Sequence, residues 1–327
     1  MATRPRDVVV VGASAGGVEA LRAMVSGLPI NLRASVLVVL HMPAGGTSAL
    51  PAILSRAGPL PARIARDGEP LEQGRIYVAR PDHHMLVVNR AVALSHGPTE
   101  NGHRPAINAT FRSAAIACGG AVTGVLLSGV LDDGVAGLLA IAGQGGRTVV
   151  QDPSDALYHG MPENALRALT PDHVGPAADL GPVLAKMTSE VADNSDDAAP
   201  DVLRWENEIA SAGRTQQGAE TVGTPSEFAC PDCQGVLAEI EGDAMRYRCR
   251  VGHAWTAEAL LAAQGSALER ALWTALRTLE EKTALSTRMA QEARQRGSHR
   301  VAERYDQMAR ETYEAAAVLR RQVMERG

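Results

Sequence analysis

Four consecutive valines run straight into a glycine-rich turn, so that residues 8–17 read VVVVGASAGG. An unbroken β-branched run of this kind is a strand that needs cover on both faces. The helical pattern from Val18 to Met24 makes the unit strand, turn and helix, which opens a parallel sheet. Gly12 and Gly17 fall on the first and third glycines of the dinucleotide fingerprint G-x-G-x-x-G, and Ser14 takes the middle one. That glycine lets a main chain touch a pyrophosphate, whereas here a Cβ with a hydroxyl fills the space. Gly12 to Gly16 also reads as G-x-S-x-G, a sharp turn that lifts a serine oxygen above a sheet beside backbone N–H groups. Small residues packing a turn are the plain alternative, and only partners for Ser14 separate the two.

The alternation continues. Ala34–Leu40, Ala121–Gly129 and Arg147–Gln151 read as strands, with INATFRSAAIA and GVAGLLAIAGQ as helices among them. The expected fold is therefore α/β, a doubly wound, mostly parallel sheet in three αβα layers. GRIYVARPDHHMLVV and RAVALS read as a β-hairpin insertion with Pro81 and Asp82 at its turn, and His83, His84, His96 and His103 as surface or rim residues. A chain of 327 residues exceeds one ordinary domain. Residues 1–188 are expected to form the sheet domain and 189–227, acidic or small and polar, a linker. Within it VLRWENEIA is expected to form a helical turn docking through Trp205. A net charge of −5 gives no general attraction to nucleic acid. No apolar run approaches the ~20 residues of a membrane span, and no signal peptide is expected, so membrane insertion is not expected and the chain is read as cytoplasmic.

In an open α/β sheet, ligands bind beyond the carboxyl ends of the strands. The first strand ends in Ser14, the second in His41, and the central one in GVLDDG with Asp132 and Asp133. A hydroxyl, an imidazole and a carboxylate are what a serine hydrolase requires. The imidazole takes the proton of a hydroxyl too weakly acidic to ionise alone, and the carboxylate holds the imidazole's tautomer. The order Ser, His, Asp excludes the α/β-hydrolases, whose order is Ser, Asp, His.

The motifs GASAGG, HMP (His41 to Pro43), IYVARPDHHM, RPAINATFRS, SGVLDDGVAG and VQDPSDALYHGMPENAL, spread over Val8 to Lys186, resemble the catalytic domain of the CheB-type chemotaxis protein-glutamate methylesterases. The resemblance implies Ser14 as nucleophile, His41 as general base and Asp133, in preference to Asp132, as orienting acid, with no cofactor for catalysis. It implies hydrolysis of γ-glutamyl methyl esters on the helices of chemoreceptors, with release of methanol, and in many members glutamine deamidation. The sequence departs from the family at Ala15, where Thr or Ser is usual, at Gly129-Val130-Leu131 in place of Gly-Met-Gly, and at His159 in place of an aromatic. These departures motivate a competing class, a catalytically weak or silent binding or scaffold module of a chemosensory pathway. Typical members begin with a phosphorylatable receiver domain. Val8 already lies in the first catalytic strand, so control by phosphorylation in cis is not expected.

Cys230, Cys233, Cys249 and His253 follow the spacing C-x2-C-x15-C-x3-H, expected to hold a structural Zn²⁺ in a zinc-ribbon-like module over residues 228–256. Residues 257–327 show two heptad-like patterns separated by Gly297. Leu268, Leu272, Ala275 and Leu279 mark the first; Val301, Tyr305, Met308, Thr312, Ala315, Leu319 and Val323 mark the second. They are expected to form an antiparallel helical hairpin that, with the ribbon, binds pathway proteins and has no part in catalysis.

Overall fold

A computed structural model describes residues 4–46, 48–192, 199–211, 223–240 and 245–325. The chain divides into two compact units, residues 1–259 and 260–327.

In the first unit, the short strand β1 (Arg4–Pro5) precedes β2 (Val8–Ala13), helix α1 (Gly17–Ser26), β3 (Ser35–Leu40) and α2 (Leu50–Ala57). Next come β4 (Ala62–Ile64), β5 (Arg75–Val78), β6 (His84–Val88), β7 (Ala91–Ser95) and α3 (Ile107–Cys118). β8 (Val122–Leu126), α4 (Val135–Gly143), β9 (Arg147–Gln151), α5 (Gly160–Ala168), β10 (His173–Gly175) and α6 (Leu180–Met187) complete the sheet layers. The main sheet has seven strands in the order β10-β9-β8-β2-β3-β5-β4, and all its pairings are parallel. β11 (Val191–Ala192) pairs antiparallel with β1.

β2 is central because both of its faces are apolar. Val8 and Val10 pack with Phe111, Leu138 and Met161 of α3, α4 and α5. Val9 and Val11 pack with Leu21, Leu54 and Leu184 of α1, α2 and α6. Each fully buried valine contributes roughly 1.5–3 kcal/mol, and seven of them (Val8–Val11, Val36, Val38 and Val39) lie on the adjacent interior strands β2 and β3. Gly12 is required on packing grounds, since a Cβ there would sit 2.3 Å from the Ile107 side chain. Its absence lets the N-terminus of α3 close over the end of β2. After β3 the chain builds outward on one side, then crosses to β8 on the other, so the strand order reverses at β2 and β8.

The hairpin differs in place from the expectation. Ile76–Val78 belongs to the main sheet, paired with β3, and the hairpin is β6 with β7. Its turn is Asn89-Arg90, both with positive φ (49° and 61°), and Pro81 and Asp82 only lead into it. Left-handed φ at both central residues suits a tight hairpin connection, but without glycine the pair gives little sequence signal.

Within residues 189–227 the structure describes β11 and a ten-residue helix, α7 (Asp201–Ala210), that docks through Glu206, only 2% exposed, as well as through Trp205. Residues 193–198 and 212–222 of the expected linker lie outside the described residues. A four-stranded antiparallel sheet then follows: β12 (Thr224–Ala229), β13 (Val236–Ile240), β14 (Arg246–Cys249) and β15 (Ala254–Thr256).

The second unit lies within α8 (Ala257–Gln295) and α9 (His299–Met324), joined through Gly297 at φ 75°. Arg320 pairs with Glu280, Thr283 with Thr312, and Arg294 with Asp306, so the helices run antiparallel. Their buried seam is Leu276, Ser286, Ala290 and Ala293 against Ala302, Thr312, Ala316 and Val323. It departs from the heptads read in the sequence: Leu268 and Val301 are exposed, and Leu276 and Ala316 are buried where Ala275 and Ala315 were expected. Small residues let two helices approach closely, and small buried residues are hard to tell from surface alanines by hydropathy. Among the described residues, no helix is long and apolar enough to cross a membrane.

Candidate active site

The turn that carries Ser14 is held from below. Ser14 N–H donates to Ser128 C=O (2.9 Å), and Ser128 Oγ donates to Ala15 C=O (2.8 Å) while accepting from Tyr158 N–H (3.0 Å). Gly16 takes the left-handed conformation (φ 71°) that turns the chain into α1. Among the described residues, the Ala15 and Gly16 amides donate to no acceptor, so two N–H groups next to Ser14 remain for a ligand.

His41 stands at the end of the neighbouring strand. Its Nδ1 lies 3.1 Å from Ser14 Oγ and its Nε2 lies 2.8 Å from Asp133 Oδ2. Since the carboxylate only accepts, Nε2 carries the proton and Nδ1 is left as the acceptor facing the hydroxyl. The three expected residues therefore meet in one line, and Asp133, not Asp132, faces the imidazole.

Asp133 is 3% exposed, and burial alone would raise its pKa. The hydrogen bond and charge of His41, then the neighbouring His103 and the bond from Ile107 N–H, outweigh burial and hold it below the usual carboxylate range. Ile107 N–H donates to Oδ2 (2.7 Å) and Asn108 N–H to Oδ1 (3.4 Å), so the carboxylate caps the N-terminus of α3, where the helix dipole favours negative charge. Asn108 Oδ1 in turn accepts from Gly134 N–H (3.0 Å) and Gly137 N–H (2.8 Å), fixing the loop that carries Asp133. Reading strand ends alone missed this role of α3. Pro105, just before the helix start, was the signal available.

Asp132 faces the other way. Its Oδ1 accepts from the Thr256 hydroxyl at 2.7 Å. Burial pushes its pKa up to about 6; the Thr256 bond pulls it down and the Asp133 charge adds to the rise. A carboxyl that is harder to ionise in the folded state than in the unfolded chain contributes stability at low pH, which is lost as pH rises toward 6. Asp132→Asn is therefore expected to raise the unfolding free energy by about 3 kcal/mol at pH 8 and to leave it nearly unchanged at pH 4, measured by urea titration at both.

Two departures from the family pattern have visible consequences. Leu131 sits at φ 60°, a conformation that favours glycine, so its Cβ is carried in strained backbone. His159 is the N-cap of α5, exposed, with its Nδ1 3.1 Å from the Glu163 carboxylate and with no hydrogen bond to Ser14, His41 or Asp133. Of the histidines expected at the rim, His84 is fully buried, donating from Nε2 to Pro98 C=O (2.9 Å) and accepting at Nδ1 from Ala106 N–H (3.2 Å), and burial lowers its pKa. His103 lies flat on His41.

The Cys230, Cys233, Cys249 and His253 ligand atoms all fall within 4.8 Å of one another. Cys230 Sγ and Cys249 Sγ lie 3.7 and 3.5 Å from His253 Nδ1, and Cys233 Sγ lies 3.6 Å from Cys249 Sγ. A tetrahedral ion with bonds of about 2.0–2.3 Å requires donor separations of about 3.4–3.8 Å, so the four residues fit a zinc-sized ion.

A hydroxyl, an imidazole and a carboxylate in hydrogen-bond contact at the reversal point of a doubly wound sheet are the groups that acyl transfer through a serine requires. A family model described as CheB methylesterase matches residues 9–184. The chain belongs to the CheB methylesterase family. It is 35% identical over 197 residues to the protein-glutamate methylesterase/protein-glutamine glutaminase 2 of Methanosarcina mazei, covering 58% of this chain and 52% of that protein. It is 39% identical over 178 residues to the protein-glutamate methylesterase/protein-glutamine glutaminase of Bordetella bronchiseptica, covering 53% and 51%. The chain thus spans about half the length of these curated relatives. The crystal structure of the Thermotoga maritima CheB methylesterase catalytic domain is similar at a TM-score of 0.53 and 31% identity, covering 55% of this chain and 97% of that one.

Proposed function

We propose that this chain is a serine esterase that hydrolyses protein L-glutamate 5-O-methyl esters on chemoreceptor-like helices, and deamidates glutamine side chains by the same route, in chemotaxis-type signal transduction. The observation that carries the reading is the continuous relay from Ser14 through His41 to Asp133, at 3.1 and 2.8 Å. Relatives named for these two activities support it.

In this mechanism Ser14 Oγ attacks the γ-carbonyl carbon while His41 Nδ1 takes its proton. Asp133 holds the imidazole in the productive tautomer and offsets its positive charge. The carbonyl oxygen becomes an oxyanion that the Ala15 and Gly16 amides receive, each donor contributing roughly 10²–10³ in rate. His41 then returns the proton to the departing methoxide, giving methanol and a glutamyl-serine ester. Water, deprotonated by His41, cleaves that ester to glutamate and restores Ser14. With a glutamine substrate the leaving group is ammonia and the other steps are unchanged. No step draws on a cofactor.

We divide the chain into a catalytic domain at 1–188, a linker at 189–227, a ribbon at 228–256 and a helical hairpin at 257–327. Cys230, Cys233, Cys249 and His253 would hold a structural Zn²⁺. Four protein ligands close the shell, so the ion would organise the ribbon. The hairpin, with Leu261, Leu268 and Trp273 exposed on α8, is the surface offered to pathway proteins. Methylated receptor helices are cytoplasmic substrates, and the reading places the chain in that compartment.

A fluorophosphonate probe tests the nucleophile. Labelling of the wild type that vanishes in Ser14→Ala is the expected result. Absent labelling of the wild type, or labelling that persists in the variant, would overturn the assignment.

A further inference from the structure

The last strand of the ribbon sheet, β15, is paired with the catalytic domain. Residues 99–101 run beside it, with Glu100 bridged in parallel to Ala254. Ala254 N–H donates to Thr99 C=O (3.1 Å) and Asn101 N–H donates to Ala254 C=O (2.8 Å). Asn101 Oδ1 accepts from Thr256 N–H (2.9 Å), and the Thr99 hydroxyl donates to Asp232 (2.7 Å). The segment then closes in a tight turn. Asn101 and Gly102 are left-handed, and Glu100 and His103 exchange both backbone hydrogen bonds (3.2 and 2.9 Å). The turn ends at His103, whose ring stacks on His41 with centroids 3.7 Å apart and planes 13° from parallel.

We infer that His103 is a positioning residue for the His41 imidazole, and that the Cys3His ribbon holds it there by pairing with the Thr99–His103 turn. The inference rests on the reading of His41 as the general base. The bonds to Ser14 and Asp133 fix His41 at its two nitrogens only, and the ring can still rock about the line joining them. A flat ring on one face removes that freedom and keeps water from that face. His103 is also a suitable neighbour for an imidazole that becomes a cation. Burial, and then the His41 charge, pull its pKa down to about 4, so it stays neutral while His41 carries the proton of Ser14. The ribbon, expected from sequence to take no part in catalysis, thereby acts on the relay without touching substrate.

The test uses the full-length chain and methanol release from a methylated receptor-helix peptide. His103→Ala is expected to lower kcat about tenfold with KM within about twofold, as a small misplacement of a reacting group would. His103→Phe, which restores a flat ring without a titratable nitrogen, should recover activity to within about threefold of wild type. Asn101→Gly keeps the left-handed backbone but releases Thr256. It should lower kcat several-fold alone and add little in the His103→Ala background. An unchanged kcat in His103→Ala, a His103→Phe variant as impaired as His103→Ala, or fully multiplicative effects in the double variant would overturn the inference. The ring-proton shifts of His41 provide a readout independent of turnover. They should lose the stacking displacement in His103→Ala and move in Asn101→Gly, and unmoved shifts in Asn101→Gly would overturn the ribbon's part. Absence of any Ser14-dependent methanol release from wild type would defeat the esterase reading alone, leaving those shifts to decide the brace.

Discussion

His41→Ala is expected to lower kcat by about 10⁴–10⁶-fold with the fold intact, the scale seen when the base of such a relay is removed. Among the described residues, the imidazole nitrogen in hydrogen-bond contact with Ser14 Oγ is His41 Nδ1, at 3.1 Å. His103 cannot substitute, because it lies on the face of His41 and not beyond it. Asp133→Asn should cost less, about 10²–10⁴-fold. Two donors, His41 Nε2 and Ile107 N–H, converge on Oδ2 at 2.8 and 2.7 Å, so the asparagine oxygen is drawn to that position and its NH2 away from it. The tautomer is then kept and only the charge is lost. Single-turnover kinetics of the two variants check the ranking. An Asp133→Asn enzyme as impaired as His41→Ala would show that the amide flips and that the α3 amides do not control its orientation.

The second large effect is on stability. Five charged residues from four parts of the chain meet under the ribbon: Glu100, Arg112 of α3, Glu206 of α7, and Arg246 and Arg248 of β14. Arg112 reaches Glu100 at 2.5 Å, Arg246 and Arg248 reach Glu206 at 2.8 and 3.1 Å, and Arg248 lies 3.6 Å from Glu100. All but Arg246 are buried. Replacing such a network with apolar groups is often neutral, but removing one partner leaves buried charge uncompensated. Glu206→Ala is therefore expected to cost about 3–5 kcal/mol in urea unfolding. The pH dependence has a definite sign. Burial would raise the Glu100 pKa, but Arg112 and Arg248 outweigh it and hold it at about 2, against 4.5 ordinarily; Glu206 is lowered by the same guanidinium groups. This stability is complete above pH 4.5 and lost as pH falls toward 2. A Glu206→Ala protein as stable as wild type at pH 7 would mean that the ribbon is held by its strand pairing alone.

How much could be read from the sequence follows the same physics. The sheet and the three strand ends were legible because buried parallel strands are continuous apolar runs that stop abruptly. Ala62–Ile64 and His173–Gly175 were not, since three residues carry no period. The hairpin turn was misplaced because Asn89-Arg90 reaches positive φ without glycine. The helical seam was misplaced because alanines pack it. Ser14, His41 and Asp133 could be collected by their position at strand ends. The support for Asp133 from Ile107 and Asn108, and the stack of His103 on His41, depend on how a helix and a turn close over that edge. The charged cluster was invisible for the same reason: its members lie between residues 100 and 248, and each alone reads as a surface charge.

Methanol release from a methylated receptor-helix peptide, compared between wild type and Ser14→Ala, tests the central claim most directly. The account predicts stoichiometric methanol and newly formed glutamate with the wild type, and loss of both to background in the variant with its thermal unfolding unchanged. Equal release by the two proteins, or none from the wild type on a peptide that another esterase demethylates, would contradict it.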